Sequence, residues 1–399
     1  MFPDRTGARR LPPALVCRGV GVLHRGTAVV RDLDLTVEAG EIVALLGPSR
    51  AGKSTLLHAV AGLVGLSTGE IWLAGRPVAN PQVGLAPERR PVGMMFQDDA
   101  LWPHLEVIDT VAHPIRREGV RPESARAEAL QLLEWFGVGH LAGRRPTDLS
   151  VVERRWVGLA RLLARSAEIH LYDEPSAQLD THLRVRFQAQ LAARQRATGT
   201  AALYATHDYA EAFTVADRVA VLSGGRISQV GTPAAVYAEP ATLAVARLTG
   251  PASVVRARVS AGSGDGLDIE VGGVLACVPG GAAGPLPRDE PARLLVRPDW
   301  AHLGGPFQGR LRSACYLGPH TDYLLEVPGG EVLVREPGPP LHPSGATLSW
   351  GLRRTWALPA EAGATPEPGS AKPVVTGLLG GDGRPAPATR VPPTDLTPA

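Results

Sequence analysis

The residues that most restrict how this chain can fold are Gly47-Pro48-Ser49-Arg50-Ala51-Gly52-Lys53-Ser54-Thr55. They follow a short apolar run, Glu41–Leu46 (EIVALL), suited to a buried strand, and they lead into Leu56–Ala61, which is compatible with a helix. The pattern G-x-x-x-x-G-K-[ST] in that setting is a phosphate cradle. Gly47 and Gly52 let the backbone wrap closely around anionic oxygens, so that successive N–H groups and a helix N-terminus face the phosphate. In this reading Gly47, Pro48, Ser49, Ala51, Gly52, Lys53, Ser54 and Thr55 form the nucleotide-binding loop. Lys53 reaches the outer phosphates and Ser54 offers its hydroxyl to Mg²⁺. By itself the loop says only that a nucleotide binds.

The pattern around the loop is that of an α/β domain. Strand-like and helix-like segments alternate from about Pro13 to Thr249. Glu123–Phe136 has apolar residues at helical spacing, begins just after Pro122 and stops at Gly137. Arg218–Leu222 and Arg226–Val230 read as two strands around a tight turn. Beyond residue 250 the texture changes to short β-branched runs between Gly and Pro clusters: Val254–Val259, Leu267–Val271, Arg293–Arg297, Gly309–Tyr316, Tyr323–Val327 and Glu331–Val334. These predict a small barrel or sandwich. The expected division is a disordered N-terminus over 1–13, an α/β domain over 14–249, an all-β domain over 250–358 and a disordered Pro-, Gly- and Ala-rich tail over 359–399.

Ile169-His170-Leu171-Tyr172-Asp173-Glu174 resembles a strand that ends in two carboxylates. Downstream of a phosphate loop, Asp173 is placed to hold Mg²⁺, directly or through water, and Glu174 to polarise the water that attacks the terminal phosphate. Composition narrows the partners. A formal net charge of +2 over 399 residues does not point to nucleic acid. Cys17, Cys277 and Cys315 are too far apart for a disulfide framework or a zinc site and fit a reducing compartment. No stretch approaches the roughly 18 apolar residues of a spanning helix, so any membrane role is expected to come through a partner.

Taken together, these motifs resemble the ATPase subunits of ABC importers. After the phosphate loop, Met95-Phe96-Gln97 matches the Q-loop and Leu149–Arg161 stands at the signature position. Asp173-Glu174-Pro175, a D-loop-like Ser176-Ala177-Gln178-Leu179-Asp180 and Ala205-Thr206-His207-Asp208 follow in the family's order. The resemblance implies ATP and Mg²⁺ as cofactors, with Gln97 sensing Mg²⁺ and the attacking water. It implies that His207 contacts the γ-phosphate and helps to order Glu174. It also implies that Ser150 and Asp180 contribute to nucleotide sites shared by two ATPases, as a homodimer or heterodimer. His24 falls where the family stacks an aromatic ring on adenine. Asp98–Val107, with Trp102, resembles the segment that docks the membrane subunit, with burial in a helical subdomain as the alternative for Trp102. Leu294–Asp299, Phe307–Arg310 and Tyr316–Gly318 resemble a TOBE-type barrel. The implied partners are transmembrane permease subunits and, through them, an extracytoplasmic solute-binding protein. The implied location is the cytoplasmic face of the plasma membrane, with ferric iron or a polyamine the favoured cargo. A soluble family member acting in translation or DNA repair would carry tandem cassettes or long coiled coils, which this chain lacks.

One motif departs from the family. The signature LSGGQ is replaced by Leu149-Ser150-Val151-Val152-Glu153, and the following Gln-Gln-Arg by Arg154-Arg155-Trp156. Val adds β-branched bulk where glycine permits close approach to a partner's γ-phosphate. Glu153 adds a negative charge, with Arg154 and Arg155 placed to compensate. The alternative function is therefore an ATP-binding regulatory or hetero-partner subunit with impaired turnover.

Overall fold

The computed structural model describes residues 11–261, 266–286 and 291–359; the N-terminus up to residue 10 and the tail from residue 360, both expected to be disordered, lie outside them. The first ten strands are β1 (Leu15–His24), β2 (Thr27–Val37), β3 (Ile42–Leu46), β4 (Thr68–Leu73), β5 (Arg76–Ala79), β6 (Val92–Met95), β7 (Ile169–Asp173), β8 (Ala201–Thr206), β9 (Arg218–Ser223) and β10 (Arg226–Gly231). The helices are α1 (Lys53–Ala61), α2 (Val107–Arg117), α3 (Pro122–Trp135), α4 (Val151–Leu163), α5 (Thr181–Thr198), α6 (Tyr209–Val215), α7 (Pro233–Ala238) and α8 (Leu243–Leu248).

The central sheet has the order β10-β9-β3-β8-β7-β6, parallel except for the β9–β10 hairpin. Its inner strands read as unbroken apolar runs because both faces are covered. In β3, Ile42, Ala44 and Leu46 pack into one core with α2 to α6, and Val43 and Leu45 into a second core with α1 and the antiparallel sheet β2-β1-β4-β5. α3 starts at Pro122, one residue before the predicted Glu123, and ends ahead of Gly137, whose φ of 76° stops the helix.

The C-terminal region contains β11 (Ser253–Ala261), β12 (Gly266–Val271), β13 (Val274–Ala282), β14 (Ala292–Val296), β15 (Ala301–Tyr316), β16 (His320–Val327), β17 (Gly330–Pro337), β18 (Thr347–Leu352) and β19 (Thr355–Leu358). Pairings β12–β13, β13–β19, β19–β14, β14–β11 and β11–β12 close a five-stranded ring. β17-β16-β15-β18 continue the same sheet from β11, which pairs with β17 at Val255 and Gly330. β15 is longer than the sequence run suggested. It bends where Leu303 and Phe307 both face Trp350, and that bulge interrupted the periodicity.

The buried guanidinium of Arg297 joins this β region to the helices that end the α/β region, alongside the Tyr237–Asp299, Trp356–Pro240 and Arg354–Glu239 contacts. Arg297 is fully buried and donates to the carbonyls of Tyr237, Ala246, Gly250 and Pro251 and to Thr249 Oγ1. It also stacks on the Tyr237 ring at 4.3 Å. Burial pushes it down to about 10, which leaves it charged at neutral pH. Arg297→Met strands these acceptors, and we expect it to lower stability in urea unfolding by about 3 to 5 kcal/mol. A loss below about 1 kcal/mol would show that the helices and the barrel are held together by other contacts.

Candidate functional site

The register of the parallel strands brings the site together. β3 ends at Leu46 opposite Thr206 of β8, and β7 ends at Asp173 opposite Ala205. Gly47 N–H then donates to Thr206 O at 3.3 Å, and Glu174 N–H to Ala205 O at 3.0 Å. Three loops, beginning at Gly47, Glu174 and His207, therefore leave the same edge of the sheet side by side. This edge is where open parallel sheets bind ligands.

The loop before α1 needs its glycines. A Cβ on Gly47 would sit 2.4 Å from Leu222 O, and Gly52 has φ 107° with Val29 O 3.0 Å from the position of a Cβ. Gly52 caps α1 without a side-chain acceptor, so the first N–H groups of the helix remain available to an anion. Lys53 is buried and donates to Gly47 O at 2.9 Å and Pro48 O at 3.0 Å, with Glu174 Oε1 at 3.6 Å. Desolvation pushes its ammonium down and Glu174 partly restores it.

Ser54 Oγ donates to Asp173 Oδ1 at 3.0 Å. Desolvation raises the Asp173 carboxyl, against the Ser54 hydrogen bond and the charge of His58. A hydroxyl and a carboxylate side by side are hard oxygen donors of the kind that hold Mg²⁺ through one or two protein ligands and substrate phosphates. Glu174 has φ 47°, a conformation that a non-glycine residue adopts at a cost. Its Oε1 lies between Lys53 Nζ and His207 Nδ1, the latter at 3.2 Å, so a proton on Nδ1 donates to it. The structure thus gathers the phosphate loop, Asp173, Glu174 and His207.

The other predicted residues stand differently. Gln97 is exposed and is held through its main chain, its carbonyl accepting from Arg155. His24 is exposed at the β1–β2 turn. Asp180 is the N-cap of α5 and accepts from Leu183 N–H at 2.9 Å. Ser150 is the N-cap of α4 in a capping box: Glu153 N–H donates to Ser150 Oγ, and Ser150 N–H to Glu153 Oε2 at 2.7 Å. The Glu153 charge is therefore folded onto the helix terminus, where those hydrogen bonds hold its carboxyl low. Arg155 does not compensate it as expected, since its side chain is buried and turned to the opposite side of α4.

Sequence reasoning missed Glu211. It is buried on α6 and accepts from Ser176, Tyr204 and Thr206, tying the loop after Glu174 to the strand end before His207. The available signal was a carboxylate on the same helical face as the buried Ala212 and Val215.

A phosphate loop on a parallel sheet beside a carboxylate pair defines a P-loop nucleotide hydrolase. The profile of the ABC transporter family matches residues 30–177, and that of the TOBE domain residues 294–364. The Fe(3+) ions import ATP-binding protein of Brucella abortus is 37% identical over 311 residues, covering 77% of this chain and 86% of its own. The spermidine/putrescine import ATP-binding protein of Frankia alni is 38% identical over 324 residues, covering 77% and 69%. Among solved structures, cbiO1 from Clostridium perfringens, part of the ABC transporter complex cbiONQ, is 26% identical with a TM-score of 0.52, covering 57% of this chain and 92% of that one. This chain belongs to the ABC transporter family as an importer-type ATPase subunit with a C-terminal TOBE domain.

Glu211→Ala leaves three buried hydroxyls without their acceptor and is expected to cost about 3 kcal/mol in urea unfolding, whereas Glu211→Gln, which keeps one acceptor oxygen, costs about 1 kcal/mol. Equal losses for the two would show that side-chain volume, and not hydrogen bonding, sets the effect.

Proposed function

We propose that the chain binds Mg²⁺·ATP and hydrolyses it to energise import of a small solute through membrane permease subunits. The observation that carries this is the Glu174 carboxylate, held in a left-handed backbone between Lys53 and His207 beside the Ser54–Asp173 pair. Glu174 is the base that orients the attacking water, and His207 fixes that carboxylate and meets the γ-phosphate. Lys53 and the N–H groups at the start of α1 hold the phosphates. Ser54 and Asp173 hold Mg²⁺, which neutralises charge on the phosphate oxygens. Gln97 completes the metal site, His24 stacks on the adenine, and Ser150 and Asp180 act across a dimer of ATPase subunits. The motor domain spans 14–249 and the barrel 250–358, with ferric iron or a polyamine as cargo, as in the two relatives.

No helix among the described residues is long and apolar enough to cross a membrane. The permease is proposed to dock at the cytoplasmic face of the plasma membrane in a groove of about 920 Å³ beside β6, α2 and α4. Met94, Phe96, Trp102 and Pro114 give it apolar surface, and Arg89, Arg117, Arg161 and Arg165 give it positive charge. Trp102 is half-buried there, packed against His113 with ring centroids 4.8 Å apart. An extracytoplasmic solute-binding protein would deliver cargo on the other side.

A second reading, a subunit impaired in turnover as a homodimer, is favoured by the α4 terminus. Two of its N–H donors, those of Ser150 and Glu153, are already engaged within the capping box, and Val151 stands exposed beside them. Steady-state hydrolysis by the purified chain, with Glu174→Gln as control, separates the readings. The motor reading expects turnover that falls at least about 100-fold in the control while ATP binding persists. Tight binding with no turnover, restored by a second ATPase chain, would establish the impaired subunit.

A further inference from the structure

The segment that leaves β6 passes through two non-glycine residues in the left-handed region, Asp99 at φ 62° and Ala100 at φ 43°. Each is unfavourable for a non-glycine residue and persists only where its surroundings impose it. Two arginines of α4 impose it here. Arg161 donates to Asp99 O at 3.0 Å and Ala100 O at 2.6 Å and lies over the Trp102 ring at 5.3 Å. Arg155, with 1% of its surface exposed, donates to Asp99 Oδ1 at 2.7 Å, to Gln97 O at 2.6 Å and to Phe96 O at 3.4 Å. Its fourth acceptor is Ala177 O at 3.4 Å, in the loop that follows Glu174.

One guanidinium therefore joins three segments: α4, residues 96–99 and residues 174–179. A buried ion pair alone would be a weak reason for this arrangement, since its desolvation offsets much of its attraction. Burial indeed pushes the Asp99 carboxyl up while Arg155 pulls it back. What the guanidinium adds is a planar fork of donors that sets two loop carbonyls at fixed spacing, which a lysine ammonium cannot do. Gln97 has an exposed side chain, and its position is set through the carbonyl that Arg155 grips.

We infer that Arg155 is a positioning residue, which fixes Gln97 relative to the Mg²⁺·ATP site and ties it to the loop after Glu174. It rests on the proposed reading of Gln97 as part of that site. On the groove side the same segment is gripped by Arg161 beside Trp102, so α4 holds it at both ends.

The test uses the full chain and the variants R155K, Q97A and their combination. Binding of a non-hydrolysable ATP analogue is followed by calorimetry across a Mg²⁺ titration, together with kcat and the melting temperature. R155K is expected to raise the half-saturating Mg²⁺ and to lower kcat by about tenfold each, with metal-free analogue binding unchanged. In the combined variant R155K adds nothing to Q97A. Wild-type Mg²⁺ dependence in R155K, or effects of R155K and Q97A that multiply, would overturn the inference. Where R155K alone fails to fold, D99L with R155M removes both buried charges together and carries the same readings. Turnover sensitive to E174Q is measured alongside. Its absence sinks the hydrolysis reading, and the Mg²⁺ dependence of analogue binding then decides Arg155 alone.

Discussion

The in-register parallel pairing of β3, β8 and β7 is the constraint on which the rest depends. Leu46 opposite Thr206 and Asp173 opposite Ala205 place the starts of three loops within hydrogen-bonding distance of one another. A slip of one residue in any of these strands would exchange its two buried faces, because β3 packs into different cores on its two sides. Core packing thus fixes the register, and the register fixes which side chains meet. Lys53, Ser54, Asp173, Glu174 and His207 are local consequences of where three strands stop.

Backbone strain follows the same geography. Of the eight described non-glycine residues with positive φ, Arg50, Asp99, Ala100, Glu174 and Gln178 lie in the loops that carry the proposed nucleotide chemistry. Such conformations persist where packing and hydrogen bonds over-determine them. Here the determinants can be named: Ala205 O holds the Glu174 N–H, and Arg155 and Arg161 hold the carbonyls around Asp99.

Much of this was legible in the sequence because each legible element announces itself locally. The phosphate loop is contiguous, β7 ends visibly in Asp173-Glu174, and α3 is bracketed by Pro122 and Gly137. The β region was legible as a kind and not as a topology, since ring closure joins β13 to β19 and β11 to β14 across long separations, and β15 hides its length behind a bulge. The roles that escaped notice belong to charged side chains on apolar faces. Glu211 on α6, Arg155 on α4 and Arg297 after β14 each occupy positions where periodicity expects a hydrophobe, and each has at least one partner far away in sequence. Periodicity marks such residues as anomalies but cannot name their partners.

These anomalies share a logic. A buried charge with well-placed partners in several segments holds those segments in one arrangement, at a desolvation cost that an apolar side chain would avoid. Glu211 gathers Ser176, Tyr204 and Thr206; Arg155 gathers Asp99, Gln97 and Ala177; Arg297 gathers the ends of α7 and α8. All three lie at seams between segments: the loop after Glu174 and the end of β8, α4 and the segment after β6, and the β region and the helices before it. Apolar packing at those seams would tolerate small slides, because dispersion is non-directional. Forked hydrogen bonds do not, since they weaken steeply with angle. The helix that carries Val151 and Val152 in place of the signature glycines thus has, one turn further along, a directional grip on the segment that carries Gln97.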